Sequence, residues 1–415
     1  MAALALMTAA CSNNDNDILA PAEQPAKAEG IPFTATISIS QSASTRALTE
    51  NGTKIEATWA VDDKVALIHN GVKDVMTVSA VNAGVATITG TIKGSPSGGD
   101  AVTIIYPSDA ADGTTGNVKS DWLSSQVGTL KGTSGTSIEE KYDVRKGSGA
   151  LNASGTSLDG TVSLTNQNAI FKLTLKDIDG TNDVSATSVV ISDQTGVVTT
   201  VTPASGYENA MYVALPTTAT TLKFLVTGSD SKKYFNMASS LSLGASYYQS
   251  TVKLATVGDV ILSTGKCAKA GTGSPVAMIA YLGNGSDCTN GLAIALADES
   301  GKKIYEAAGT ACSGKAAVTG GTWRLPSDKD WQYMFIGCGS SESYSAPTHA
   351  MSKSYSGLAS KLTTAQGAAL QSDFYWSSTK DEPNGAWGVV FEGSNATFYM
   401  EDKTIGHQVR ACLAF

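Results

Sequence analysis

Val65-Ala66-Leu67-Ile68-His69-Asn70-Gly71, followed by Met76-Thr77-Val78, reads as two strands joined at a tight turn. Asn-Gly is hairpin chemistry, because both residues tolerate the positive φ that such turns need. The same grammar extends in both directions. Upstream, residues 33–40 (Phe33-Thr-Ala-Thr-Ile37-Ser-Ile39-Ser40) end in apolar/polar alternation, and Ile55 to Trp59 forms another short run. Downstream come Val85 to Ile92 and Val102-Thr-Ile104-Ile105-Tyr106, the latter stopped by Pro107. Strands of four to eight residues with turn signals at this spacing predict a β-sandwich.

Residues 108–160 are rich in Gly, Ser, Thr and Asp and predict long loops. Strand patterning resumes over 161–255, with Val162–Leu164, Ile170–Leu175, Val189–Ile191, Met211–Leu215, Leu222–Val226 and Tyr247–Leu254. The chain therefore divides into 31–160 and 161–255, each read as a β-sandwich, and a different module over 256–415.

Composition agrees. Charged residues make up 16% of the 415, and glycine alone contributes 42. That balance suits extracellular β-structure joined by many turns. The net charge of −8 excludes a nucleic-acid partner, since no basic stripe exists to neutralise phosphates. No apolar run is long enough for a transmembrane helix.

The first eleven residues, MAALALMTAAC, are an apolar core, small residues and then Cys11. This reads as a signal peptide and resembles a bacterial lipobox, which implies lipidation of Cys11 and an outer-membrane lipid as partner. It departs from that pattern in lacking a basic residue before the core and in having Thr8 where leucine is usual. Residues 12–30 begin Ser-Asn-Asn-Asp-Asn-Asp and contain Pro21 and Pro25, so they read as a tether.

The other five cysteines, Cys267, Cys288, Cys312, Cys338 and Cys412, all lie in the last 150 residues, which itself marks a separate module. Their number is odd, so at least one stays free or pairs elsewhere. With no CxxC and three histidines (His69, His349, His407), a zinc site is not expected.

Within the first two units, Trp59 with Asp62-Asp63, the Tyr106-Pro107 strand end, Asn168-Ala-Ile-Phe171-Lys-Leu-Thr-Leu175, Tyr212-Val-Ala-Leu215-Pro216 and Gly244-Ala-Ser-Tyr247 recur in an order that resembles the fimbrillin-like subunits of type V pili. The resemblance covers residues 31–255. It implies two transthyretin-like β-sandwich domains, a lipidated precursor, and cleavage by an Arg-specific protease after the first strand. Thr45-Arg46-Ala47-Leu48 is the matching stretch, which makes Arg46 the candidate; an arginine in an exposed loop is the plain alternative. It implies other pilus subunits as partners through strand exchange, and a location on the outer membrane, surface-exposed, as a fimbria. Shaft subunits of that family donate their C-terminal segment. This chain instead continues for 160 residues, the arrangement expected of a tip subunit.

Residues 256–415 carry Trp323-Arg324-Leu325-Pro326-Ser327, Asp328-Lys-Asp-Trp331, Tyr375-Trp376-Ser377-Ser378, Ala386-Trp387-Gly-Val-Val-Phe391 and Val409-Arg410-Ala-Cys412. Ser327 reads as a helix N-cap with Asp328 and Asp330 in the first turn, and Leu358–Leu370 as a second short helix. The set resembles bacterial C-type-lectin-like domains, whose core also occurs in sulfatase-modifying enzymes. The resemblance implies an α+β fold, and it makes Cys338 and Cys412 disulfide candidates.

Asp381-Glu382-Pro383-Asn384 contains the tripeptide that binds Ca²⁺ and sugar in calcium-dependent lectins. The resemblance thus offers Asp381, Glu382, Asn384 and Trp387 as ligand contacts and Glu382 with Asn384 as a weak Ca²⁺ candidate, for a host or microbial surface glycan or protein. The partner Trp-Asn-Asp motif is missing, and a Pro-Asn-Gly turn accounts for the same residues. Trp331, Trp376 and Trp387 could stack on a sugar or pack in a core. No GxSxG, HExxH or phosphate loop occurs. No catalytic residue and no cofactor is expected, and a cysteine-dependent enzyme on the sulfatase-modifying fold would need Cys338 or Cys412 as a free, activated thiol. The resulting expectation is a fimbrial tip subunit or adhesin; the alternative is a surface lipoprotein that does not polymerise.

Overall fold

The computed structural model describes residues 30–39, 48–51, 54–132, 136–203, 211–239, 241–381 and 383–415. The chain is mainly β, and among the described residues the α-helices lie only in the C-terminal module.

The first unit contains β1 (Ile31–Ile39), a hairpin β2–β3 (Thr49–Asn51, Lys54–Glu56), β4 (Lys64–His69), β5 (Val72–Asn82), β6 (Val85–Ile92), β7 (Ala101–Tyr106), β8 (Ser125–Gln126), β9 (Arg145–Ala150) and β10 (Val162–Asn166). Seven of these close on themselves in the order β1-β10-β9-β7-β4-β5-β6. The two layers expected of a sandwich are thus joined at both edges, which leaves no strand edge open. The Asn70-Gly71 turn forms as read, with φ of 46° and 74°, and it pairs His69 with Val72. Phe33, Ile37, Val65, Leu67, Met76, Val78, Ile88 and Ile104 fill the interior.

One feature moves the boundary expected at residue 160, and another corrects the loop expected over 108–160. β10 runs parallel to β1, Ile37 opposite Val162, so the first unit extends to Asn166. β9 falls inside the stretch read as loop. Its sequence, Arg145-Lys-Gly-Ser-Gly-Ala150, has no hydrophobic alternation, but its glycines have a packing reason. A Cβ on Gly147 would stand 2.6 Å from both Leu164 Cδ2 and the Ser163 carbonyl oxygen, and one on Gly149 would stand 2.5 Å from Val162. Bare backbone there lets β9 lie against β10.

The second unit is a sandwich. β11 (Asn168–Asp177), β14 (Met211–Pro216) and β17 (Tyr247–Leu254) form one sheet. β12 (Ala186–Asp193), β13 (Gly196–Val201), β15 (Thr221–Gly228) and β16 (Lys233–Ser239) form the other, to which β8 adds in parallel beside β13. Buried Gln126 on β8 fastens this crossover by bonding both the carbonyl (2.8 Å) and the N–H (2.9 Å) of Ala214.

The C-terminal module has a six-stranded sheet, β19-β18-β20-β21-β27-β22, and a four-stranded one, β23-β26-β25-β24. The first uses β18 (Val260–Leu262), β19 (Cys267–Ala268), β20 (Pro275–Leu282), β21 (Gly291–Ala295), β22 (Thr322–Arg324) and β27 (Cys412–Ala414). The second uses β23 (Met351–Ser354), β24 (Phe374–Lys380), β25 (Gly385–Glu392) and β26 (Asn395–Asp402). The helices are α1 (Tyr305–Ser313), α2 (Asp328–Gly337) and α3 (Ser356–Thr364). α3 stops short of the predicted Leu370 because Gln366 takes a left-handed φ of 61°. α1 was not legible in the sequence, and its short run YEAAGTACS lacks a side-chain cap.

Candidate assembly site and the C-terminal surface

β1 is a stave of the barrel. Phe33, Ala35 and Ile37 face inward and are buried, while Thr34 faces out. Eight residue pairs join β1 to β6, Ile31–Ile92 through Ser38–Val85, and three join it to β10. Burial of Phe33 and Ile37 stabilises the barrel by about 1.5–3 kcal/mol each. Taking β1 away would leave an apolar slot between two unpaired strand edges.

The segment carrying Arg46 lies outside the described residues, as do Cys11 and Glu382. Its two flanks are placed. Ile39 ends β1, and Leu48 is buried beside Tyr142, Ile170 and Ala214, with its N–H donating to Glu139 Oε1 at 2.8 Å.

The residues that carried the resemblance in the first two units prove structural. Trp59 is buried edge-on to Tyr106, ring centres 5.2 Å apart. Asp63 accepts from Ala60 N–H at 2.8 Å and so locks the turn in which Asp62 has φ of 74°. Asn168 donates to the Tyr142 carbonyl, and Phe171 stacks on Tyr248.

In the C-terminal module, Ser327 caps α2 as read. Its hydroxyl accepts from Asp330 N–H at 3.0 Å, and Asp330 Oδ2 accepts from Ser327 N–H at 2.9 Å. Asp330 Oδ1 also accepts from Arg324 at 2.7 Å and from Ser286 Oγ at 2.5 Å. The Trp-Arg-Leu-Pro-Ser stretch is therefore a helix-start clamp. Trp331 and Trp376 are fully buried and Trp387 nearly so. All three are core residues, which removes them as sugar-stacking surfaces.

Asp381, Pro383 and Asn384 are exposed in the turn between β24 and β25. Lys403 closes this turn: its N–H donates to the Asn384 carbonyl at 3.0 Å and its ammonium to the Pro383 carbonyl at 2.8 Å. An ammonium on that carbonyl opposes a cation in the same place, and Ca²⁺ wants six or more oxygens. Among the described residues, no group of three or more His, Cys, Asp or Glu side chains could hold a metal.

All five described cysteines are free thiols, so the Cys338–Cys412 pairing implied by the lectin-like resemblance is not formed. The two sulfurs have other neighbours: the Ala280 carbonyl at 3.5 Å from Cys338 and Asp330 Oδ2 at 3.9 Å from Cys412. Burial pushes the Cys312 and Cys338 thiols up to about 12 and that of Cys412 well above its usual range. Such thiols stay protonated and poorly nucleophilic. His407 is packed against Phe374 and Trp376, and among the described residues neither of its ring nitrogens has a hydrogen-bond partner.

A pH dependence follows. Between about pH 9 and 12 the unfolded chain sheds thiol protons that the folded chain keeps. The unfolded state then binds fewer protons, so stability falls as pH rises, by up to about 1.4 kcal/mol per unit for each such thiol. Denaturation midpoints should be lower at pH 10 than at pH 8. Rapid labelling of Cys338 or Cys412 in the folded chain at pH 8 would contradict this burial.

No family model and no curated protein matches the chain. Solved structures similar to it include bacterial fimbrial and pilus proteins. A fimbrial protein from Bacteroides ovatus is 12% identical, with a TM-score of 0.32, over 94% of this chain and 100% of that one. A fimbrial assembly protein from Parabacteroides distasonis is 12% identical, TM-score 0.29, over 54% and 90%. The shaft pilin spaA from Lactobacillus rhamnosus is 8% identical, TM-score 0.21, over 55% and 99%. Likeness at this level does not by itself fix function.

Proposed function

We propose that this chain is a surface pilus subunit or adhesin that accepts a neighbour's strand in its N-terminal barrel and presents its C-terminal module to a glycan or protein. The single observation that carries this reading is β1: it pairs along nearly its whole length with β6 and through Ile37–Ile39 with β10, and it is followed at once by the stretch containing Arg46. A cut there would convert a closed barrel without edges into an acceptor with two. The precursor would be held at the outer membrane through a lipidated Cys11 and would lose that anchor on cleavage. The continuation past β17 into a folded module replaces a free donor strand, which fits a tip position. The buried, protonated thiols oppose the cysteine-dependent enzyme reading.

The test is to cut the folded protein with an Arg-specific protease and add a labelled synthetic peptide of residues 31–39. Exchange of the peptide into the cut barrel, and none into the uncut one, is expected. A cut barrel that takes up no peptide within a day would overturn the acceptor role and favour the lipoprotein that does not polymerise.

A further inference from the structure

The second sandwich has an open seam. β16 and β17 are the edge strands of its two sheets, and they lie opposite each other. Among the described residues their backbones pair at one point: Phe235 and the residue after β17, Ala255, exchange both backbone bonds at 2.8 Å. One step further, the strands are already too far apart to pair directly. There the Asn236 side chain spans the gap, its Nδ2 donating to the Lys253 carbonyl and its Oδ1 accepting from Met237 N–H, both at 2.5 Å. An amide group thus takes the place that a peptide group of an intervening strand would occupy.

Beyond Asn236 the seam widens into a cleft of ≈740 Å³. Phe171, Leu173, Leu222 and Phe224 form its apolar floor, and the Gly265–Lys269 stretch of the C-terminal module also lines it. Side-chain and backbone directions alternate along a strand. Because the Lys253 carbonyl points across the seam, Thr251 directs its N–H and C=O the same way, into the cleft. The cleft is also lined by Lys253, Lys266 and Lys269; Lys269 already pairs with Asp179 and Asp259, each at 3.7 Å, which leaves Lys253 and Lys266 as the cations facing the cleft.

We propose that this seam is a second strand-binding slot, distinct from the β1 slot, and that it takes an extended segment of another protein chain whose apolar residues alternate with acidic ones. The apolar residues would reach the floor, the backbone would pair with the facing edges of β16 and β17 once it displaces the Asn236 amide from Met237 and Lys253, and the acidic residues would meet Lys253 and Lys266. A small amphiphile could fill the volume but would leave both edges unpaired.

The experiment uses the full chain and a blocked nine-residue peptide alternating valine and glutamate. Expected results are saturable binding by fluorescence anisotropy and slowed amide exchange at Thr251 and Lys253, whose N–H groups face the seam, with Ser250 and Val252, turned towards β11, unchanged. A valine–lysine peptide should bind at least about tenfold more weakly. Thr251→Pro, which removes one N–H from a free edge, should weaken binding by a similar factor, and amide exchange on the unsubstituted chain serves if that variant misfolds. Four outcomes would overturn the proposal: no protection at saturating peptide, equal binding of a peptide N-methylated along one edge, protection by lauric acid but not by peptide, and protection that arises by self-association of the chain alone.

Discussion

Ile37→Asp should destabilise the N-terminal barrel by at least about 4 kcal/mol. Ile37 has no exposed surface and sits in register with Ala86 on β6 and Val162 on β10. Losing a buried isoleucine side chain costs about 2–5 kcal/mol, and an unpaired carboxylate in its place adds a desolvation penalty. Thr34→Asp, three residues away on the outer face, should change stability by no more than about 0.5 kcal/mol. Urea titrations monitored by the emission of buried Trp59 separate the two. Equal effects of both substitutions would mean that β1 is not a stave of the barrel, and the acceptor proposal would fall with it.

The second large effect is expected at Arg410. This guanidinium is fully buried. Its Nε pairs with Asp298, its Nη1 donates to the Ala295 carbonyl at 3.0 Å, and its Nη2 donates to the Ala368 carbonyl at 3.1 Å. Asp298 in turn accepts from the Tyr375 hydroxyl at 2.9 Å. Arg410→Ala leaves a carboxylate and two carbonyls without their donor and should cost about 3–5 kcal/mol. Arg410→Lys keeps the charge but loses the fork, so it should fall between the two. The loss should be confined to the C-terminal module. Calorimetry is expected to show one transition lowered and the barrel transition in place. A single shifted transition would show that the units unfold together.

The Arg410 network also shows what the sequence could and could not supply. Val409-Arg410-Ala was legible as part of a pattern, but its partners lie 112 and 115 residues earlier in the chain, at Asp298 and Ala295. No local signal joins them. Ser327 and Asp330 are the opposite case. A capping residue and its partner sit three apart, so the start of α2 was readable directly. The tryptophans fall between these: their presence was plain, but whether they stack on ligand or pack in a core is decided by burial. The Asp381–Asn384 turn was likewise visible as turn chemistry, while Lys403, which closes it, comes from the end of β26 some twenty residues on.

The sequence by itself determined a mainly β chain, the separate cysteine-bearing module and the hairpin at Asn70-Gly71. These are written in periods of two, in turn residues and in composition, which local chemistry controls. Only the tertiary structure decided that the first unit is a closed barrel with β10 beside β1, that Gly147 and Gly149 are there for close strand approach, and that the second sandwich stays open between β16 and β17. Each of these depends on which strand edges meet. Pairing is set by the joint burial of faces far apart in the chain, and no window of neighbouring residues contains it.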